Sequence, residues 1–207
     1  MRPLVLLLAA FPILAQSPTM STSLRPIVIH ADRVIDGRGR IVPGGSVTVT
    51  GDKITAVGTS SFPVTYDLKG LSLLPGLIDV HSHLTWYFNR QGRFHTQGDG
   101  DTPIESMLSA AGNAYATLEA GFTTIQSPGS LEDKDLREWI AMGSIPGPRV
   151  LTSLTPFTST RPTPDSLRAL VRQRKAQGAD VIKIFASASI RDGGAQTLSD
   201  EQLAAIC

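Results

Sequence analysis

The hydrophobic pattern of the chain changes character three times. Leu4 to Ala15 is an almost unbroken apolar run behind a short basic start, Met1-Arg2-Pro3, and it turns polar at Gln16-Ser17-Pro18. A run of this length is short for a bilayer span and has the layout of a secretory signal covering residues 1–16. From Pro26 to about Gly76 short β-branched stretches alternate with turn residues. Ile27–Ala31 and Arg33–Ile35 are followed by Asp36-Gly37-Arg38-Gly39. Ser46–Thr50 and Ile54–Val57 flank Gly51-Asp52-Lys53, and Thr65–Leu68 and Leu71–Leu74 flank Lys69-Gly70. This pattern predicts a small all-β portion over 17–75 with Lys69-Gly70 as a turn. Some fifty residues of short strands bury little core alone, so such a portion has to pack on something else.

From Leu77 onward strands and helices alternate. Leu77–Leu84, Phe122–Ile125, Arg149–Leu154 and Val181–Phe185 read as buried-type strands. Helices are predicted from Thr102-Pro103 to about Leu118, from about Leu131 to Met142, and from Thr163-Pro164-Asp165 through Lys175. A fourth starts at the capping box Ser199-Asp200-Glu201-Gln202. Four successive βα units over 76–207 imply an α/β protein with a parallel sheet, either open and doubly wound or the first half of a (β/α)8 TIM barrel. A last helix with an N-cap and no terminator reads as a truncated chain.

Composition narrows the class without naming it. The chain has 207 residues, 41% hydrophobic and 18% charged, with a net charge of +1, which gives no electrostatic footprint for nucleic acid. Its single cysteine, Cys207, excludes an intrachain disulfide. Cleavage of the leader would leave a periplasmic or secreted protein with no membrane attachment, whereas a start at Met20 would leave it cytoplasmic. Self-association is left open.

Candidate chemistry sits at two strand ends. His81 and His83 are i and i+2 on a predicted strand, so both imidazoles share a face and can reach one divalent ion, zinc first among the candidates. The alternative is a pair of polar residues at a solvated strand end. Location at the C-terminal end of a parallel strand favours a site. Asp79, one step back on the same face, either orients an imidazole from behind the metal or accepts loop amides. Lys183 lies among Val181, Ile182, Ile184 and Phe185, where a bare ammonium is costly to bury. Either its head snorkels to water, or a neutral amine takes up carbon dioxide as a carbamate, an anionic ligand able to bridge two cations. Taken with the histidine pair, the carbamate is the favoured reading. The loop from Trp86 to Asp101, with His95, Asp99 and Asp101, forms either a pocket wall or a mobile surface loop. Asp99-Gly100-Asp101 lacks the spaced ligands of a calcium loop and reads as a turn.

Leu74-Pro75-Gly76-Leu77-Ile78-Asp79-Val80-His81-Ser82-His83 resembles the signature of the metal-dependent amidohydrolase superfamily. Gly121–Thr124, Ile145–Leu151 and Gly178–Ile184 resemble its imidazolonepropionase-like branch, which includes Xaa-Pro dipeptidases. The resemblance runs from Ile27 to Ile206. It implies a β-sandwich built from both chain ends beside a (β/α)8 barrel, of which this chain carries strands one to four. It also implies a site for one or two divalent metals, with His81 and His83 on the more buried ion and carbamylated Lys183 bridging to the second. Two further histidines and the aspartate that handles the proton would lie beyond Cys207. The implied activity is hydrolysis of C–N bonds in a small molecule: a dipeptide, an acylated amino acid or a cyclic amide. A mononuclear, deaminase-like enzyme and a non-catalytic product of the same fold are the alternatives. Where dipeptidase relatives carry a Gly-Gly-His stretch, this chain has Thr155–Pro162 without a histidine.

Overall fold

A computed structural model describes residues 25–95, 98–157 and 162–207. The leader over 1–16 and Met20 lie outside these. The described chain forms two compact units that meet in sequence at Pro75 and Gly76. Among the described residues no helix is long and apolar enough to cross a membrane.

The first unit is a four-stranded sheet. β1 (Ile27–Ile35), β2 (Ile41–Thr50) and β3 (Lys53–Gly58) form an antiparallel meander, and β4 (Tyr66–Leu73) returns parallel to β1, giving the order β3-β2-β1-β4. Asp36 shapes the first turn, its Oδ1 accepting from the backbone N–H groups of Arg38 and Arg40. Val28 is buried, and Ala31, Val34 and Val47 form a buried cluster with Val42, Leu68 and Leu73 packed against it. One expectation changes here. Lys69-Gly70 is not a turn: β4 runs straight through it, and the pairing slips from Ala31–Leu68 to Arg33–Ser72. Gly70 takes a φ of +79°, so the surplus residues are absorbed as a bulge that glycine tolerates. Among the described residues this portion of the expected composite β-sandwich is a single sheet.

The second unit alternates strand and helix. β5 (Leu77–Asp79), β6 (Phe122–Ser127) and β7 (Arg149–Thr152) form a parallel sheet in the order β5-β6-β7. Between and after them run α1 (Pro103–Glu119), α2 (Asp133–Ala141), α3 (Pro164–Ala176) and α4 (Asp200–Ile206). α1 opens on a Thr102–Glu105 capping box and α4 on Ser199–Gln202, as their sequences predict. The core joins Leu84, Ala110, Ala114, Ile125, Leu136 and Val150. Ala110 and Ala114, one helical turn apart, let α1 lie close over the sheet.

The strands stop earlier than their apolar runs suggest, each for a local reason. β5 has three residues rather than the expected eight, because Asp79 Oδ1 accepts the backbone N–H of His81 at 2.9 Å and turns the chain. β7 ends at Thr152, not Leu154: Thr152 Oγ1 accepts from Leu154 N–H at 2.9 Å, and Leu154 adopts a left-handed φ of 56°. Val181–Phe185 forms no ladder. It is joined to its neighbours by one parallel bridge, Phe157 to Ile184, and by Asp180 and Val181 N–H groups donating to Thr152 O. Among the described residues the parallel sheet therefore has three strands, and the fourth βα unit contributes a segment laid beside β7.

Candidate metal centre

His81 and His83 stand just past the end of β5, in a segment that stays beside β6 because Ser82 N–H donates to Gln126 O at 2.9 Å. Strand alternation is therefore not what brings them together; the turn at Asp79 does. Their ring centres are 5.4 Å apart and the planes are tilted by 58°. Two imidazoles meeting a tetrahedral ion through N–metal bonds of about 2.1 Å would have ring centres about 5 Å apart, so the pair fits a shared cation. His81 is exposed and His83 half-buried. Burial, and then the positive charges of His81 and Lys183, hold the His83 imidazole below the usual histidine value. That favours the neutral form a metal requires.

Two features fix His83. Its ring stacks on Trp86 at 3.9 Å with 8° between planes. On another side it meets Gly129, where a Cβ would lie 3.0 Å from Cε1 and 3.1 Å from Nδ1. A bare backbone at 129 is what leaves room for the imidazole. Lys183 is half-buried, close enough for its charge to act on His83, and its Nζ lies 5.4 Å from the centre of the Phe185 ring. The segment carrying it is clamped upstream. Asp180 Oδ2 accepts from Thr152 N–H at 3.0 Å and pairs with Arg137, which also donates to Gly178 O. Asp79 serves as the acceptor for a loop amide, one of its two expected roles, and lines an open cleft of about 390 Å³ with His83, Trp86, Asn113, Thr117 and Phe122 among others.

Residues 72–207 match the model of the amidohydrolase family. This chain belongs to the amidohydrolase family. Among relatives of the family, an imidazolonepropionase of Photobacterium profundum is 31% identical over 114 residues, 49% of this chain and 28% of the relative. A dihydroorotase of Wolbachia sp. subsp. Drosophila simulans is 36% identical over 98 residues, 45% of this chain and 20% of the relative. The crystal structure of a Xaa-Pro dipeptidase with bound methionine in the active site superimposes with a TM-score of 0.71 at 24% identity, over 88% of this chain and 53% of that one. That last likeness is one of fold. The matched regions span about a quarter of the length of these curated relatives and about half of the solved structure.

Within this amidohydrolase chain the structure brings His81, His83 and Lys183 into one neighbourhood. Among the described residues no group of three or more His, Cys, Asp or Glu side chains converges as a metal cage. His95 belongs to a separate network. Its Nδ1 pairs with Asp101 Oδ2 at 2.8 Å, its ring stacks on Tyr87 at 4.6 Å, and the Tyr87 hydroxyl reaches Asp101 and Ser106. The loop is thus tied down around His95, which lines a cavity of about 180 Å³ with Thr85, Ser130 and Glu132. Asp99 approaches Arg93 at 3.7 Å while Asp101 faces His95 and Tyr87, so the two aspartates serve different partners. Three contributors escaped sequence reasoning: Trp86 as a stacking partner, Gly129 as a cradle and Asp180 as an anchor. For Gly129 the signal is faint, a glycine two residues past the end of β6, where α/β proteins place binding loops.

Proposed function

We propose that this chain supplies the N-terminal half of a (β/α)8 amidohydrolase barrel that hydrolyses C–N bonds in a small molecule, with His81, His83 and Lys183 as the metal-binding set. The observation that carries this is the pair of tilted imidazoles 5.4 Å apart, with Lys183 electrostatically coupled to His83. His83, its neutral form favoured by burial and its ring held between Trp86 and Gly129, presents a lone pair in a fixed direction. His81 adds the second nitrogen, and the Asp79 turn sets its backbone. Lys183, as a carbamate, would bring an anionic oxygen toward a second ion; the Asp180–Arg137 clamp fixes where that segment lies. A bound divalent metal, zinc or one or two ions of similar chemistry, lowers the pKa of a coordinated water and polarises the scissile carbonyl.

The names of the relatives, imidazolonepropionase, dihydroorotase and Xaa-Pro dipeptidase, support a small-molecule substrate: a dipeptide, an acylated amino acid or a cyclic amide. The apolar leader over 1–16 supports export from the cytoplasm. Metal content and hydrolysis of Ala-Pro, an N-acetyl amino acid and a hydantoin test the assignment together. Metal bound by the native chain but not by His81→Ala or His83→Ala is expected, with turnover lost alongside it. Full metal content in both variants would refute the site.

One observation favours a second reading. The Lys183 ammonium stands over the Phe185 ring, a cation–π placement suited to a charged amine. In that reading a single ion is held and Lys183 is no ligand. Two ions per chain, and partial rescue of Lys183→Ala by short carboxylic acids, support the carbamate; one ion and no rescue support the ammonium.

A further inference from the structure

The loop after β5 carries more aromatic surface than its fold requires. Along Trp86-Tyr87-Phe88-Asn89 the side chains alternate. Trp86 and Phe88 are 57% and 74% exposed, while Tyr87 and Asn89 are only 7% and 8% exposed. Phe94, bridged antiparallel to Phe88, is a further 47% exposed. The three exposed rings form one contiguous patch: Trp86 meets Phe94 edge-on at 5.5 Å, and Phe94 meets Phe88 at 6.4 Å. Its inner end is the face-to-face stack of Trp86 on His83.

The backbone that carries this patch is tied down on three sides. Asn113 Nδ2 reaches in from α1 and donates to both Leu84 O and Trp86 O at 2.9 Å. Asn89 Oδ1 accepts from the backbone N–H groups of Gln91 and Arg93, closing the tip. Tyr87, through Asp101 and Ser106, pins the inner face. Aromatic rings already ordered in the free protein bind without the entropic cost of immobilising them.

We propose that Trp86, with Phe94 behind it, is the specificity shelf of this site and selects substrates that carry an aromatic ring beside the scissile C–N bond. This rests on the assignment of His81 and His83 as metal ligands. Continuity with His83 would put the indole beside a substrate held at that imidazole. Size also favours a substrate ring over a protein partner. Three partly exposed aromatic side chains offer about 300 Å², whereas a specific protein interface buries on the order of 1,000 Å² or more.

The test compares N-acetyl-L-phenylalanine with N-acetyl-L-alanine on the zinc-loaded protein. Dissociation constants are measured by ligand-observed NMR, and kcat/KM by release of the free amino acid. The phenyl probe is expected to bind about tenfold more tightly. Trp86→Ala should erase that preference, bringing the ratio of the two probes' constants to about one, on top of any loss common to both probes from removing the His83 stack. Trp86→Phe, which keeps a ring and guards against a folding defect, should retain most of the ratio. All proteins are compared at matched zinc content. An unchanged ratio in Trp86→Ala, with both probes losing equally, would make Trp86 a prop for His83 alone and overturn the shelf. So would a wild-type protein without phenyl preference, or an oligomer that dissociates on Trp86→Ala. Binding preference with no cleavage of either probe would keep the shelf and remove the hydrolase reading; cleavage without preference would do the reverse.

Discussion

Asp133 gives the sharpest physical test of the second unit. It opens α2, is fully buried, and sits where the ends of β6 and β7 meet that helix. Its Oδ2 accepts from Thr152 Oγ1 at 3.2 Å, while Oδ1 meets no donor in hydrogen-bonding geometry. Burial pushes its carboxyl up from 3.8 to about 6, and interactions with Ser127, Thr152 and the backbone of Ser130 keep it from rising further. Between those two values the folded chain holds a proton that the unfolded chain has released. Stability from this group is therefore complete below about pH 4 and is lost as the pH rises through about 6. The interval corresponds to about 3 kcal/mol, large against the 5–15 kcal/mol of a typical domain.

Asp133→Asn keeps the shape and an acceptor for Thr152 but cannot ionise. Urea unfolding followed by the fluorescence of Trp86 and Trp139, the chain's only tryptophans and both in the second unit, reads the difference. Other carboxylates titrate equally in both proteins and cancel. From pH 4 to pH 7.5 the wild type should lose about 2.5 kcal/mol relative to Asp133→Asn, so the balance between the two proteins shifts toward the variant near neutrality. Parallel profiles, with a difference constant within about 0.5 kcal/mol, would refute the reasoning. So would a carboxyl resonance of Asp133 that titrates near pH 4 in the folded protein.

Three further substitutions test particular contacts. Gly129→Ala would press a methyl group against the His83 ring and should weaken zinc binding by about tenfold, read by chelator competition, with little change in unfolding free energy. Gly76→Ala would drive its Cβ into the Thr123 side chain, 2.6 Å from that residue's Cβ, and should destabilise by about 1–3 kcal/mol. Adding Thr123→Ala should restore part of the loss in the urea midpoint. Thr102→Ala removes the side-chain acceptor for Glu105 N–H at the start of α1 and should cost about 1 kcal/mol in the same assay.

Element order and the helix starts were legible because they rest on local chemistry. Thr102 and Ser199 cap helices through contacts three residues away, and the apolar periods of α1 and α3 span several turns. The candidate ligands were legible because His81 and His83 are close in sequence. Strand lengths were not. An apolar run shows that a segment is buried, not that its neighbour offers a ladder, so Leu77–Leu84 and Val181–Phe185 both looked like full strands. The parts of the site that depend on distant residues had no local signature: Gly129 against His83, Asn113 against Trp86, Arg137 against Asp180.

The features that shortened the strands are also what place the chemistry. At the end of β5, Asp79 takes the amide of His81; at the end of β7, Thr152 takes the amide of Leu154. Before the Lys183 segment, Asp180 takes the amide of Thr152. In each case a side-chain oxygen accepts a backbone N–H that a longer ladder would otherwise have used. Had the ladders continued, side-chain alternation alone would have set the histidine positions. The turn after Asp79 instead frees 81–83 from the pleat, so the two rings can tilt and converge while Ser82 keeps the segment against β6. For the Lys183 segment the same logic replaces a ladder with a clamp. A charged bond from Arg137 to Asp180, together with one amide of β7, fixes the height of Lys183 along the sheet without requiring the apolar run around it to pair. Short polar residues at strand ends thus determine both where the sheet stops and where the side chains proposed to bind metal begin.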